Sequence, residues 1–397
     1  MKKNTMIKIA AGAAAVLLMS TSAQAGYTMK KKVGDVDTKL TFFGFIQAQA
    51  VGGDKYLDSA TTDAPVEFGF QRVRLGWKYV AGKVRAKVFL DFNEDTNDVA
   101  SYTGATMPKM VKDAFISYVA NPAFIPKAGL IKMPNGMSFT MPGWNLDIAE
   151  RGFDKQLVLE RNTGLMISGR GIGFEGNKVD GFEMGHERPM KGFGYDIMVA
   201  NQAERSGSVT GSTAGGGLAY AVRGQFDYGE EIHTEISYGV SQNAAGYVAT
   251  GATSSDNKDY SNINVGVDSN LQELSLKAEY FDAKNIKGID GYDESVLTVT
   301  AGYFVTQNVE LVAKHIQGSA TKANVDTELG NTYLGVNLFL EMPKEGYSRK
   351  AKRARNQHKV VFNYIVASGD TDGATNEWNG LKGYKNDGFI LQYQVKF

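Results

Sequence analysis

Five cations stand close together in this chain: Arg72, Arg74, Lys83, Arg85 and Lys87. Between them run apolar residues at every second position. Val73, Leu75, Trp77 and Tyr79 alternate with Arg72, Arg74 and Lys78, and Val84, Ala86, Val88, Leu90 and Phe92 alternate with Lys83, Arg85, Lys87 and Asp91. Side chains of an extended strand switch faces with a period of two, so the five cations share the wet side of two neighbouring strands. A stripe of that kind, facing water between low-dielectric walls, raises the local concentration of anions. Arginine adds a planar fork that matches carboxylate and phosphate oxygens, where lysine offers a point charge. The plainer reading is that these charges keep a wet surface wet and pair across strands, Lys87 with a neighbouring acid for example. Asp91, Asp227, Asp268, Glu235, Glu273 and Glu279 also fall on wet faces. The expectation is therefore a lean toward anions, with phosphate as one case of it.

Other chemistry is thin. The densest charge cluster, within 344–359, includes Arg349, Lys350, Lys352, Arg353 and Arg355. It reads either as a collector of anions or acidic partners, or as a solvated loop. His186, His233, His315 and His358 lie on separate segments without metal-ligand spacing, so neither metal nor cofactor is expected. Gly215, Gly216 and Gly217 lack the Lys-Ser/Thr that follows a phosphate-cradling loop. No serine has a recognisable base and acid, although such triads are spatial and a sequence can hide one. No catalytic residue is assigned. A barrel enzyme cleaving lipids or esters stays as an alternative, and a plugged structural or adhesive barrel as a third. Bases and acids balance at 43 each, and without Lys2, Lys3 and Lys8 the acids lead by three, so no nucleic-acid partner is expected.

The elements that would hold the stripe follow from the whole chain. Residues 1–25 have a basic start, a short apolar run and Ala23-Gln24-Ala25, the pattern of a cleaved export signal. The apolar fraction of 43% is slightly low even for a globular domain, and no segment reads as a membrane helix. A barrel tolerates that, because only alternate residues meet lipid. From residue 38 onward we count roughly 16 alternating segments of about ten residues, the length of a tilted membrane strand. They fall at 40–50, 68–79, 83–92, 112–120, 127–133, 163–170, 193–201, 218–228, 232–242, 260–268, 271–283, 295–305, 309–318, 332–341, 359–368 and 389–397. Short turns at 81–82, 229–231, 269–270 and 306–308 alternate with longer polar loops at 52–65, 93–111, 202–217 and 243–259. That asymmetry is the one between periplasmic turns and external loops. The stretches 171–192 and 342–358 are long where short ones are expected. The last segment ends on Phe397 with one greasy face and one wet face, and needs a neighbour on each edge, as a closed barrel supplies. Aromatic residues near strand ends, Tyr79, Tyr118, Tyr228 and Tyr238, suit interfacial girdles. The absence of cysteine leaves the strand ladder to carry stability.

Several stretches resemble the phosphate-selective porin O and P family. Residues 127–136 (Lys-Ala-Gly-Leu-Ile-Lys-Met-Pro-Asn-Gly) are similar to its signature strand and loop entry, and 146–168 to the loop and strand that follow. Residues 73–76, 302–310, 334–337 and 391–394 are similar to its early and late strands. The resemblance implies an all-β, transmembrane antiparallel barrel of 16 strands, a homotrimer, with a loop folded into the lumen. That loop would be 134–162, shaped by Pro134, Gly136, Pro142, Gly143 and Trp144, with Lys132, Arg151, Lys155 and Arg161 carrying charge at the narrowing. The family's phosphate-selective members have arginine tracks and a lysine cluster, and the mixed charges here depart from that pattern.

The expectation is an exported signal of 1–25 and one barrel domain over 26–397. It would sit in the lipid of a Gram-negative outer membrane and pass small hydrophilic solutes or anions by diffusion.

Overall fold

Alternation fixes the architecture. A computed structural model describes residues 26–53, 66–93, 99–101, 106–108, 110–173, 191–201, 217–242, 258–322, 324–342, 345–370, 381 and 383–397. The expected export signal, and most of the long polar loops, lie outside the described residues. The chain begins with β1 (Tyr27–Val33), β2 (Val36–Gly52), β3 (Glu67–Ala81), β4 (Val84–Asp91), and the small β5 (Val99–Ser101) and β6 (Thr106–Pro108). Next come β7 (Val111–Tyr118), β8 (Ile125–Lys132), β9 (Arg161–Ile172), β10 (Lys191–Asn201), β11 (Leu218–Tyr228) and β12 (Ile232–Ser241). The rest are β13 (Tyr260–Leu271), β14 (Leu274–Lys284), β15 (Asp293–Thr306), β16 (Val309–Lys322), β17 (Val325–Phe339), β18 (His358–Gly369) and β19 (Gly388–Lys396). Two short helices, α1 (Met137–Thr140) and α2 (Arg349–Arg355), sit in connections.

β2, β3, β4 and β7 through β19 pair antiparallel in one ring of sixteen strands, closed where β19 meets β2. The expected closed barrel is the fold. Closure leaves no strand edge in the ring, the condition for a sheet in lipid. Along most strands of the ring exposed apolar residues alternate with buried ones, and the buried face carries most of the polar side chains. In β11, Leu218, Tyr220 and Val222 are exposed while Arg223, Gln225 and Asp227 are buried. In β19, Leu391 and Tyr393 face out while Gln392 and Gln394 are buried.

Three details differ from the sequence reading. β1 extends β2 into a hairpin through Gly34, whose φ of +59° suits the turn. Its Lys30, Lys31 and Lys32 break the alternation that marks the other strands. β1 lies along the same edge of β2 as β19, end to end with it: Tyr27 pairs with Phe42, and Phe397 exchanges backbone bonds of 2.8 and 3.0 Å with Gly44. β16 and β17 continue to Lys322 and from Val325, although 318–332 reads as a longer link. There Asn324 takes a φ of 62° and Thr321 donates to Asp326 at 2.6 Å, so the strands turn tightly. Finally, the long connection between β17 and β18 contains α2, capped by the Ser348 hydroxyl accepting from the Ala351 N–H.

Candidate functional site

Residues 133–160, between β8 and β9, make their hydrogen bonds with inward-facing side chains on much of the ring. Asn135 donates to Asn262 on β13 at 2.7 Å, the Gly136 N–H to Ser237 on β12, and the Ser138 N–H to Glu279 on β14 at 2.9 Å. Further along, Lys277 of β14 clamps Asp147 at 2.7 Å and Lys359 of β18 donates to the Leu146 carbonyl. The far side is β19 and β2. Gln392 reaches the Ala149 carbonyl, Gln394 the Trp144 carbonyl, and Gln47 the Gly143 carbonyl at 3.2 Å. Buried backbone carbonyls and N–H groups need partners, and here the wall supplies them from amide side chains. Apolar contact adds to this: Phe153, Leu157, Val158 and Leu159 share one buried cluster with Phe281, Ile316 and Tyr333 of the wall. Gly136 has a φ of +87°, and a Cβ there would lie 2.6 Å from the Phe281 ring.

One recess bounded by this segment is strongly basic. Between β3, β4, β7, β8 and residues 139–161 it is lined by eight cations against three carboxylates, Asp91, Asp113 and Glu160. The carboxylates are taken. Arg74 pairs with Asp91 at 2.7 Å, Lys87 and Arg161 share Asp113 at 2.6 and 2.9 Å, and Lys155 holds Glu160 at 2.7 Å. Burial pushes the Glu160 carboxyl up, but Lys155 and Arg161 outweigh it and leave it below its ordinary range. Three cations keep only neutral acceptors. Arg72 donates to the Gln47 carbonyl oxygen at 2.6 Å, Lys132 to the Phe139 carbonyl, and Arg151 to the carbonyls of Ser138, Phe139 and Met141. Burial first, then Arg74 and Arg161, lowers Arg151 to about 10, still charged at neutral pH. The Phe139 ring sits among Lys132, Arg151 and Arg161 at 4.4 to 5.8 Å, its negative face toward them. Positive charge thus accumulates at one spot, balanced by dipoles and a ring instead of by acids. Such a spot can hold an anion in passing and release it.

The family of phosphate-selective porins O and P matches over residues 46–330, more than half of the chain. The chain belongs to that family. No curated protein matches by sequence. Solved structures match in fold at low identity. The anion-selective porin from Comamonas acidovorans is 13% identical with a TM-score of 0.57, over 91% of this chain and 100% of that one. Salmonella typhi OmpF, in complex with daunomycin, is 11% identical with a TM-score of 0.59, over 93% of this chain and 100% of that one. OmpT of Vibrio cholerae in a trimer form, an outer-membrane protein, is 11% identical with a TM-score of 0.55, over 91% and 99%. Family and fold make this an outer-membrane channel.

In this porin the cations expected to line the pore divide into two groups. Arg72, Arg74 and Lys87 line the basic recess together with Lys132, Arg151, Lys155 and Arg161. Arg85 lies on the same inward face of β4 but nearer the turn, and Lys83 sits at the rim, donating to the Ala120 carbonyl at 3.0 Å. Neither lines the recess. Lys87 matches the plainer reading, buried and paired with Asp113. What the sequence reading missed is the amide set on the wall: Gln47, Asn262, Asn264, Asn337, Gln392 and Gln394. The available signal was their recurrence at period two on wet faces, as in Asn262 and Asn264 or Gln392 and Gln394.

A second cavity of the porin lies toward the short-turn end and shares one lining residue, Pro142, with the first. Its lining comes from β11 to β17, from residues 140–147 and from α2. Here four cations (Arg223, Lys277, Lys352, Arg353) face four carboxylates (Asp147, Glu235, Asp268, Glu310). His233 lies between Asp227 at 3.0 Å and Glu235 at 3.2 Å. α2 is held by aromatic contacts: Arg355 is fully buried over the rings of Phe304 and Tyr347 at 5.0 and 5.4 Å, and Lys352 lies 5.2 Å from Phe304. Burial lowers Lys352 to about 8. The basic cluster of 344–359 is therefore packed at the end of the lumen over at least part of its length, not a loop solvated on all sides.

Proposed function

We propose that the protein is a passive diffusion channel for small hydrophilic solutes with a preference for anions. Residues 1–25 act as its cleaved export signal and 26–397 as its single barrel domain. In this reading residues 134–162 fold into the lumen and narrow it, sieving by size. Arg72, Lys132 and Arg151 select by charge at the narrowing. The observation that carries the preference is that these three cations have neutral acceptors only, in a recess where cations outnumber carboxylates. Paired charges such as Lys87–Asp113 contribute little field outside themselves, whereas an uncancelled cation in a low-dielectric wall acts on every ion that passes. Phosphate is one of the anions such a fork-and-point-charge site accepts. The trimer form of a fold neighbour supports a homotrimer embedded in outer-membrane lipid. The hydrolase alternative draws no support from the described histidines: His233 lies between two carboxylates, His358 beside Glu341, and His315 beside the Thr332 hydroxyl on an exposed face.

The test is the reversal potential of the purified porin in planar bilayers under a potassium chloride gradient. Stepwise ohmic openings with a chloride-favouring potential are expected. The Arg72→Gln, Lys132→Gln, Arg151→Gln triple variant should abolish the preference, while Arg85→Glu should shift it far less. A triple variant with the wild-type reversal potential sinks the proposal.

A further inference from the structure

The second cavity is built unlike the first. Its cavity volume is about 100 Å³, room for several waters or one solute of amino-acid size. Its charges balance, yet two of its hydrogen-bond donors are unused. The Gln225 amide nitrogen is buried without a partner, in a side chain only 6% exposed. The Lys352 ammonium is buried without a hydrogen-bond acceptor too, 5.2 Å from the centre of the Phe304 ring. A buried donor left unmade costs about 1–3 kcal/mol, more when charged, so a site that keeps two of them is arranged for an acceptor that arrives. On the acceptor side stands Glu310. One of its oxygens accepts from Asn337 at 2.9 Å, and the other lies over Gly302, where a Cβ would come within 2.8 Å of it. Among the described residues no hydrogen-bond donor meets that second oxygen; the Ser275 hydroxyl beside it donates to the Gly302 carbonyl instead. The charged groups that face Lys352 are Glu310, Lys277, Asp147 and Asp268.

We propose that this inner vestibule binds small zwitterions of the amino-acid or dipeptide class. The solute's carboxylate is taken by Lys352 and Gln225, and its ammonium by Glu310. A net-neutral cavity neither attracts nor repels by overall charge, so it discriminates by charge separation within the solute. An anion finds Glu310 in its way, a cation finds Lys352, and only a molecule with both ends satisfies both walls. The inference rests on the chain being a diffusion pore and adds a binding station beyond the basic recess.

The probe is glycylglycine, held below its amine pKa of about 8 so that both ends are charged. It is added on the short-turn side of the full-length porin in a planar bilayer, with acetate and methylammonium added separately at equal concentration. Glycylglycine should block the ion current at a concentration about tenfold below either single-charge probe, the value of one hydrogen bond to a charged group. Lys352→Gln and Gln225→Leu should each weaken the glycylglycine block, the first by about tenfold. Glu310→Gln should weaken block by glycylglycine and methylammonium and spare acetate. Equal block by all three probes, or none, overturns this proposal while a chloride-favouring reversal potential leaves the channel reading in place. A wild-type chain that never opens overturns both.

Discussion

The two halves of the lumen use similar residues to opposite ends. Beside β3, β4, β7 and β8 the cations outnumber the acids, and the surplus is steadied by carbonyl oxygens and the Phe139 ring. Beside β11 to β16 cations and carboxylates are equal in number, four of each, and what stays unsatisfied is hydrogen bonding. Counting lysines and arginines would not separate the two regions. What separates them is the partner each one has. A guanidinium facing a carboxylate is structure, and the same group facing carbonyls is field.

The largest way to break the comparison is to remove the segment whose residues line both cavities. Replacing residues 139–157 by a short Gly-Ser linker should raise single-channel conductance several-fold and merge the two selectivities. An unchanged conductance would mean that this segment does not limit flow. The middle-sized effect is Asp113→Asn, which uncouples Lys87 and Arg161 at once. It should strengthen the anion preference measured by reversal potential. It should also lower the detergent melting temperature, because breaking a buried pair costs about 3–5 kcal/mol. A lower melting temperature with no gain in anion preference would show that paired and unpaired cations act alike. The smallest effect is on pH. Lys352 is lowered to about 8 by burial, so it is largely charged at pH 7 and largely neutral at pH 9. Anion preference should decline modestly over that interval, and Lys352→Arg should flatten the decline.

Much of the barrel was legible because lipid imposes a simple rule on each strand. In 83–92 and in 389–397, each side chain's face follows from its parity alone, and β4 and β19 obey it. The rule failed where something other than lipid chose the residues. Lys30 to Lys32 hide β1, because that hairpin lies beside the seam and its side chains are exposed on both faces. Small residues at 319–321 hide the end of β16. The site was half legible. The sequence placed Arg72, Arg74 and Lys87 on one inward surface, but whether each is neutralised depends on Asp91, Asp113 and the carbonyls of 138–141, brought in by strand register and by a segment far along the chain. Charge shows in a sequence, and cancellation of charge is a tertiary fact.

β2 has one more consequence. A single strand splints two segments far apart in the sequence, carrying β1 over its first half and β19 over its second. A ribosome product cut short before residue 388 would leave the stretch from Phe45 to Gly52 bare along one flank, with its amides facing hydrocarbon. The cylinder therefore cannot be sealed piecemeal: without β19, both β18 and β2 are left with an open flank.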